Sequence, residues 1–223
     1  MTHVLVPGAG GDASYWHRVV PLLERYGERA IAVELPTGDP EAGLAAYADA
    51  IVAASGGATD VTLVAQSMGA FSAPLACDRL DVRRIVLVNA MVPRPGETAG
   101  AWWDATGQVA GRRAHEAAEG RDPDAPFDVR EGFFHDVPPE VTREVFSRGD
   151  PAQADRPFGE PWPLAAWPDV PTTGVVGRDD RLFPVEFQRR VAHERLGLEL
   201  DVMPGGHLLA LSQPEALAAY LHG

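Results

Sequence analysis

The stretch Val61-Thr62-Leu63-Val64-Ala65-Gln66-Ser67-Met68-Gly69-Ala70 decides the fold. Val61–Ala65 has strand length and is apolar nearly throughout, as a parallel strand covered on both faces should be. It runs straight into Ser67, and helical spacing begins at once, over Met68–Leu80. A serine on such a strand-to-helix turn is held in a strained conformation with its hydroxyl exposed, and it needs small neighbours two positions away on each side. Ala65 and Gly69 supply them, Ala65 standing where glycine is usual and adding one methyl group. A serine in this place can also merely N-cap the helix. The rest of the chain has to choose between the two.

Strand-length apolar runs recur at His3–Val6, Ala30–Leu35, Arg84–Asn89, Thr172–Val176 and Glu199–Met203. Between them Tyr15–Tyr26, Glu41–Ala54 and Val185–Leu196 carry helical spacing, and Pro214–Leu221 makes a closing helix. Strand and helix in alternation predict an α/β fold: a mostly parallel sheet of about six strands, wound by right-handed crossovers, with flanking helices. The rhythm breaks over Met91–Asp169, which holds 11 of the 20 prolines and, with 15 acidic residues against 8 arginines, −7 of the net charge of −13. A span that long is rarely a bare loop. The expected organisation is a core of residues 1–90 and 170–223 with an inserted helical cap at 91–169, its helices falling at Ala99–Glu119 and Pro139–Arg148.

The chain has 223 residues, 45% hydrophobic and 23% charged, an ordinary globular balance that supports a core without staples. Its acidic net charge argues against nucleic acid and anionic membranes as partners. All 19 basic residues are arginine, which removes P-loop, Schiff-base and lysine general-base chemistry. One cysteine, Cys77, closes no intrachain disulfide, and the seven histidines show no metal-ligand spacing, so no metal site is expected. With no apolar run of membrane length and no leader pattern at the N-terminus, the expectation is a soluble cytoplasmic protein.

Two further turns weigh on the side of a nucleophile at Ser67. Gly177-Arg178-Asp179-Asp180 follows the fifth strand, and Pro204-Gly205-Gly206-His207 follows the sixth. Acid and histidine thus stand at the carboxyl edge of the sheet, where open α/β sheets build their sites. A carboxylate before a helix and a loop histidine are common singly; together, in the order Ser67, Asp180, His207, they form a nucleophile, its orienting acid and its base.

On these residues the chain resembles the α/β-hydrolases, closest to the cofactor-free branch of plant methylesterases, hydroxynitrile lyases and their bacterial relatives. The resemblance covers nearly the whole length and implies a start directly on that fold's third strand, without the usual N-terminal hairpin. It places the acid three residues after Gly177, selecting Asp180 over Asp179. It likens Val4-Leu5-Val6-Pro7-Gly8-Ala9-Gly10-Gly11 to the oxyanion loop, with Pro7 where histidine is usual, so that the N–H groups of Ala9 and Met68 would hold a developing oxyanion. The implied reaction is hydrolysis of a small-molecule carboxylic ester through an acyl-enzyme, without cofactor or metal. Trp102, Trp103, Phe133, Phe134 and His135 are the candidates for lining an apolar pocket.

Three alternatives stand beside this. The plant-type hydroxynitrile lyases carry a threonine in the oxyanion loop and a lysine after the histidine; the matching positions here are Gly8 and Leu208, which favours ester hydrolysis. Gly8-Ala9-Gly10-Gly11-Asp12-Ala13 with Glu34 also fits a dinucleotide fingerprint, and hence an NAD(P)-binding Rossmann oxidoreductase. That reading leaves the serine, acid and histidine turns without a role. A binding module that kept the fold and lost catalysis is the third, against which an intact Ser, Asp and His set argues.

Overall fold

A computed structural model describes residues 1–223. The strands are β1 (Thr2–Val6), β2 (Arg29–Ala32), β3 (Val61–Gln66), β4 (Val82–Val88), β5 (Thr172–Gly177) and β6 (Asp201–Met203). They form one sheet in the order β2-β1-β3-β4-β5-β6, parallel at every pairing. The helices are α1 (Val20–Arg25), α2 (Leu44–Ser55), α3 (Gly69–Ser72), α4 (Ala99–Thr106), α5 (Gln108–Ala118), α6 (Val129–Phe133), α7 (Pro139–Ser147), α8 (Arg156–Gly159), α9 (Val185–Leu196), α10 (Leu209–Ser212) and α11 (Pro214–His222). None is long and apolar enough to cross a membrane.

Side chains alternate across the sheet with the period of two that a strand imposes. Val4, Val6, Leu63, Ala65, Ile85 and Leu87 face one core, where Tyr47 and Ile51 of α2 and Phe187 and Val191 of α9 pack. Leu5, Val64, Val86, Val88 and Val175 face the other, closed by Val19, Leu23, Leu217 and Leu221. Both faces are covered, which is why the central strands read as apolar throughout. The chain leaves β1 to build β2 on one side and then β3 on the other. The loops after β1 and β3 therefore flank the point where the winding reverses, the place at which such sheets open a crevice.

The helix expected over Met68–Leu80 is broken. α3 ends at Ser72, and a 3-10 turn, Ala73–Ala76, takes over around Pro74, whose ring clashes with the preceding turn and which has no N–H to give. Ala99–Glu119 is likewise two helices, α4 and α5, divided by Gly107 at φ +67°. Tyr15–Tyr26 is a 3-10 turn at Ala13–Trp16 followed by the short α1. No α-helix starts at Gly10–Ala13 to meet a pyrophosphate, Tyr15 and Trp16 are buried there, and the Glu34 carboxylate accepts the Ala13 N–H at 2.9 Å. The turn therefore lacks the helix N-terminus on which a dinucleotide fingerprint depends.

Residues 91–169 hold α4 to α8 and are tied to the core by buried polar contacts. Arg195 of α9 pairs with Glu97 (Nη2 to Oε1, 2.9 Å), and the Trp162 Nε1–H donates to the Phe71 carbonyl at 3.1 Å. Gly43, the N-cap of α2, has no side chain to offer; Glu160 accepts the Leu44 N–H at 2.7 Å in its place. A hydrogen bond from Arg156 holds the Glu160 carboxyl below its ordinary pKa.

Candidate active site

Ser67 directly follows β3 at φ +50°, in the left-handed region that a side chain rarely adopts. Neighbouring strands hold it there. Its N–H donates to the Val88 carbonyl at 3.0 Å, and its carbonyl accepts the Met91 N–H at 3.0 Å. The turn also needs space. A Cβ on Gly69 would lie 2.7 Å from the Pro7 carbonyl oxygen, and one on Gly8 would lie 2.8 Å from the Ser67 Cβ. The extra methyl of Ala65 is fully buried in the α2 side of the core, so alanine is accommodated where glycine is usual.

The loop after β1 lies against this turn. Gln66 reaches across with its side-chain carbonyl to accept the Gly8 N–H at 2.9 Å, and Gln153 accepts the Gly10 N–H at 2.9 Å. The N–H groups of Ala9 and Met68 donate to no protein acceptor. Free backbone donors beside a strained serine can receive an oxygen that gains negative charge.

Asp180 and His207 meet at the carboxyl ends of β5 and β6. Asp180 is fully buried, and its Oδ2 lies 2.8 Å from His207 Nδ1. Its Oδ1 accepts the N–H groups of Leu182 and Phe183, at 2.8 and 2.9 Å, which fixes the carboxylate plane. Asp179 turns the other way and accepts the Gly205 N–H at 3.1 Å. With its Nδ1–H given to Asp180, the neutral imidazole keeps a lone pair on Nε2, which no protein group occupies. Ser67 and His207 are not hydrogen-bonded to one another; serine hydroxyl and Nε2 are both unpartnered. Phe133 stacks on the histidine ring at 5.1 Å and Phe183 meets it edge-on at 5.1 Å. Burial pushes the thiol of Cys77 up to about 12, which leaves it no role as a nucleophile.

A model of the alpha/beta hydrolase family matches residues 4–220. The chain belongs to that family. A probable hydrolase, R7, from the fungus Phoma sp. is 28% identical over 96% of this chain and 93% of its own. A pyrethroid hydrolase from Sphingobium faniae has the same fold at a TM-score of 0.74 and 22% identity, over 99% of this chain and 95% of its own. A methylesterase from Arabidopsis has it at 0.73 and 21%, over 99% and 97%. The parallel six-stranded sheet with its flanking helices is thus that of an α/β-hydrolase, with a likeness to the plant methylesterases.

The aromatic candidates separate. Phe133 lies on His207, and Trp103 is half-buried with its ring centre 5.6 Å from that of Phe183, which Trp102 also meets, at 5.2 Å. Trp102 has no exposed surface and spends its Nε1–H on the Val92 carbonyl; Phe134 packs on Phe146 of α7. The His135 ring is bound to the Asp179 carbonyl. Sequence reading passed over Gln66, Phe183 and above all Asn89. Asn89 directly follows β4 at φ +45°; its Nδ2 donates to the carbonyls of Gly206 and His207 (3.1 and 2.9 Å), and its Oδ1 accepts the Gly177 N–H at 2.8 Å. A polar residue closing an apolar run was the one signal available for it.

Proposed function

We propose that the protein is a serine hydrolase that cleaves carboxylic esters of small to medium apolar molecules. The carrying observation is the Asp180–His207 contact of 2.8 Å, which leaves Nε2 free at the sheet edge where Ser67 is held at φ +50°. Ser67 attacks the ester carbonyl while His207 takes its proton, and Asp180 keeps the imidazole in the right tautomer and steadies the imidazolium. The N–H groups of Ala9 and Met68 receive the oxyanion. The alcohol leaves with the proton from His207, and water releases the acyl group by the same route. Residues 91–169 act as a cap, and Phe133 and Trp103 shape the apolar side of the pocket. The occurrence of a methylesterase with the same fold is in keeping with ester substrates.

Ser67→Ala should lower kcat toward p-nitrophenyl esters by about 10³-fold or more with the fold unchanged. A fluorophosphonate should label the wild type and leave the variant untouched. A folded Ser67→Ala protein that kept its activity would overturn the mechanism.

A further inference from the structure

The insert meets the site through Phe133-Phe134-His135-Asp136. Beyond the stacking of Phe133 on His207, its two polar side chains grip the backbone just ahead of the acid and the histidine. His135 Nε2 donates to the Asp179 carbonyl at 3.0 Å, and Asp136 Oδ2 accepts the Gly206 N–H at 2.6 Å. A charged acceptor at that distance makes a strong hydrogen bond. The carbonyl of Gly206 is meanwhile held by Asn89, so this one residue is fixed by the insert at its N–H and by the sheet at its C=O. The fit is close: a Cβ on Gly206 would lie 2.7 Å from His135 Cε1 and 2.8 Å from Asp136 Oδ1.

The pair is not an ion pair that merely glues surfaces. His135 Nδ1 and Asp136 Oδ1 face each other at 3.6 Å, both buried and both without a hydrogen-bond partner. Burial, then the neighbouring Arg181, hold the His135 pKa below its ordinary value against the pull of Asp136, Glu131 and Asp179. Two buried acceptors are thus left facing one another. Apolar residues would fill the same space without that cost, so packing alone does not account for the choice of side chains.

We propose that Asp136 is a positioning residue for His207, acting through the Gly206 N–H, while His135 sets the Asp180 loop through the Asp179 carbonyl. This clamp rests on the serine-hydrolase reading given above, within which it assigns a further residue.

The test compares wild type, Asp136→Ala, Asp136→Asn and Phe146→Ala, the last loosening the insert without touching either loop. The readouts are kcat and KM for p-nitrophenyl acetate, the rate of inactivation by a fluorophosphonate, and Tm. In Asp136→Ala, kcat and the inactivation rate should fall together by about 10- to 100-fold, the cost of a small misplacement, with KM little changed. Asparagine, which still presents an oxygen to Gly206, should restore the rates to within about threefold of wild type. Phe146→Ala should lower Tm and leave kcat in place. An alanine variant at wild-type rates overturns the clamp. So does a folded asparagine variant about 10-fold or more slower than wild type, which keeps the test open should alanine not fold. A wild type that the fluorophosphonate does not label sinks the hydrolase reading instead, and the clamp with it.

Discussion

Replacing Asn89 by alanine removes the tie among three loops at the carboxyl edge. The side chain is fully buried and serves the Gly177 N–H and the carbonyls of Gly206 and His207 at 2.8 to 3.1 Å. Each buried backbone group left without its partner costs about 1–3 kcal/mol. A water entering the vacated space mends part of this, which puts the loss from the three groups at about 3–5 kcal/mol. Alanine also bears the left-handed φ of +45° less well than asparagine, which adds about 1 kcal/mol. The expected destabilisation is therefore about 4–6 kcal/mol, much of what a domain has. Urea unfolding followed by far-UV circular dichroism reads it directly, and Tm should fall by roughly 2–4 °C for each kcal/mol. Activity at a temperature where the variant is still folded should fall by about tenfold or more, because the His207 backbone loses its anchor. Asn89→Asp keeps the acceptor but sets a carboxylate against two carbonyl oxygens, and should be no more stable than alanine at pH 7. A loss below about 1 kcal/mol in Asn89→Ala would refute this account.

Two further outcomes follow. Phe133→Ala and Trp103→Ala should change relative rates across a panel of p-nitrophenyl esters of rising chain length more than they change the rate with the acetate; an unaltered profile would make both residues packing alone. His3 is buried, and burial first, with a smaller push from Arg84, holds its pKa below 6.5 in spite of the 2.8 Å contact with Glu28. The unfolded chain therefore binds a proton as pH falls through about 6.5 while the folded one does not, so stability present above that pH is lost on acidification. Unfolding measured between pH 7.5 and about 5 should show this loss in the wild type and less of it in His3→Gln.

The sequence by itself determined the parallel sheet, the serine turn and the acid and histidine at the strand ends. These are local facts. A strand covered on both faces must be apolar along its length, as Val61–Ala65 is, and a side chain at a strand end is placed by the strand it follows. Val185–Leu196 was legible as a helix for the same reason, since its spacing and its flanking Pro184 and Gly197 are neighbours in the chain. What tertiary structure decided lies where partners are distant. Gln66 finds Gly8 across 58 residues, Asp136 finds Gly206 across 70 and Asn89 finds His207 across 118. No periodicity encodes which backbone group a polar side chain will meet. The broken helices are a different case: apolar spacing runs on through Pro74 and Gly107, and it hides a local break, since the proline has no N–H to give and the glycine turns left-handed at φ +67°. The aromatic residues were divided by packing. Trp102 and Trp103 adjoin in sequence and both reach Phe183, yet α4 turns the first wholly into the core and leaves the second only half-buried, because adjacent residues on a helix face different ways.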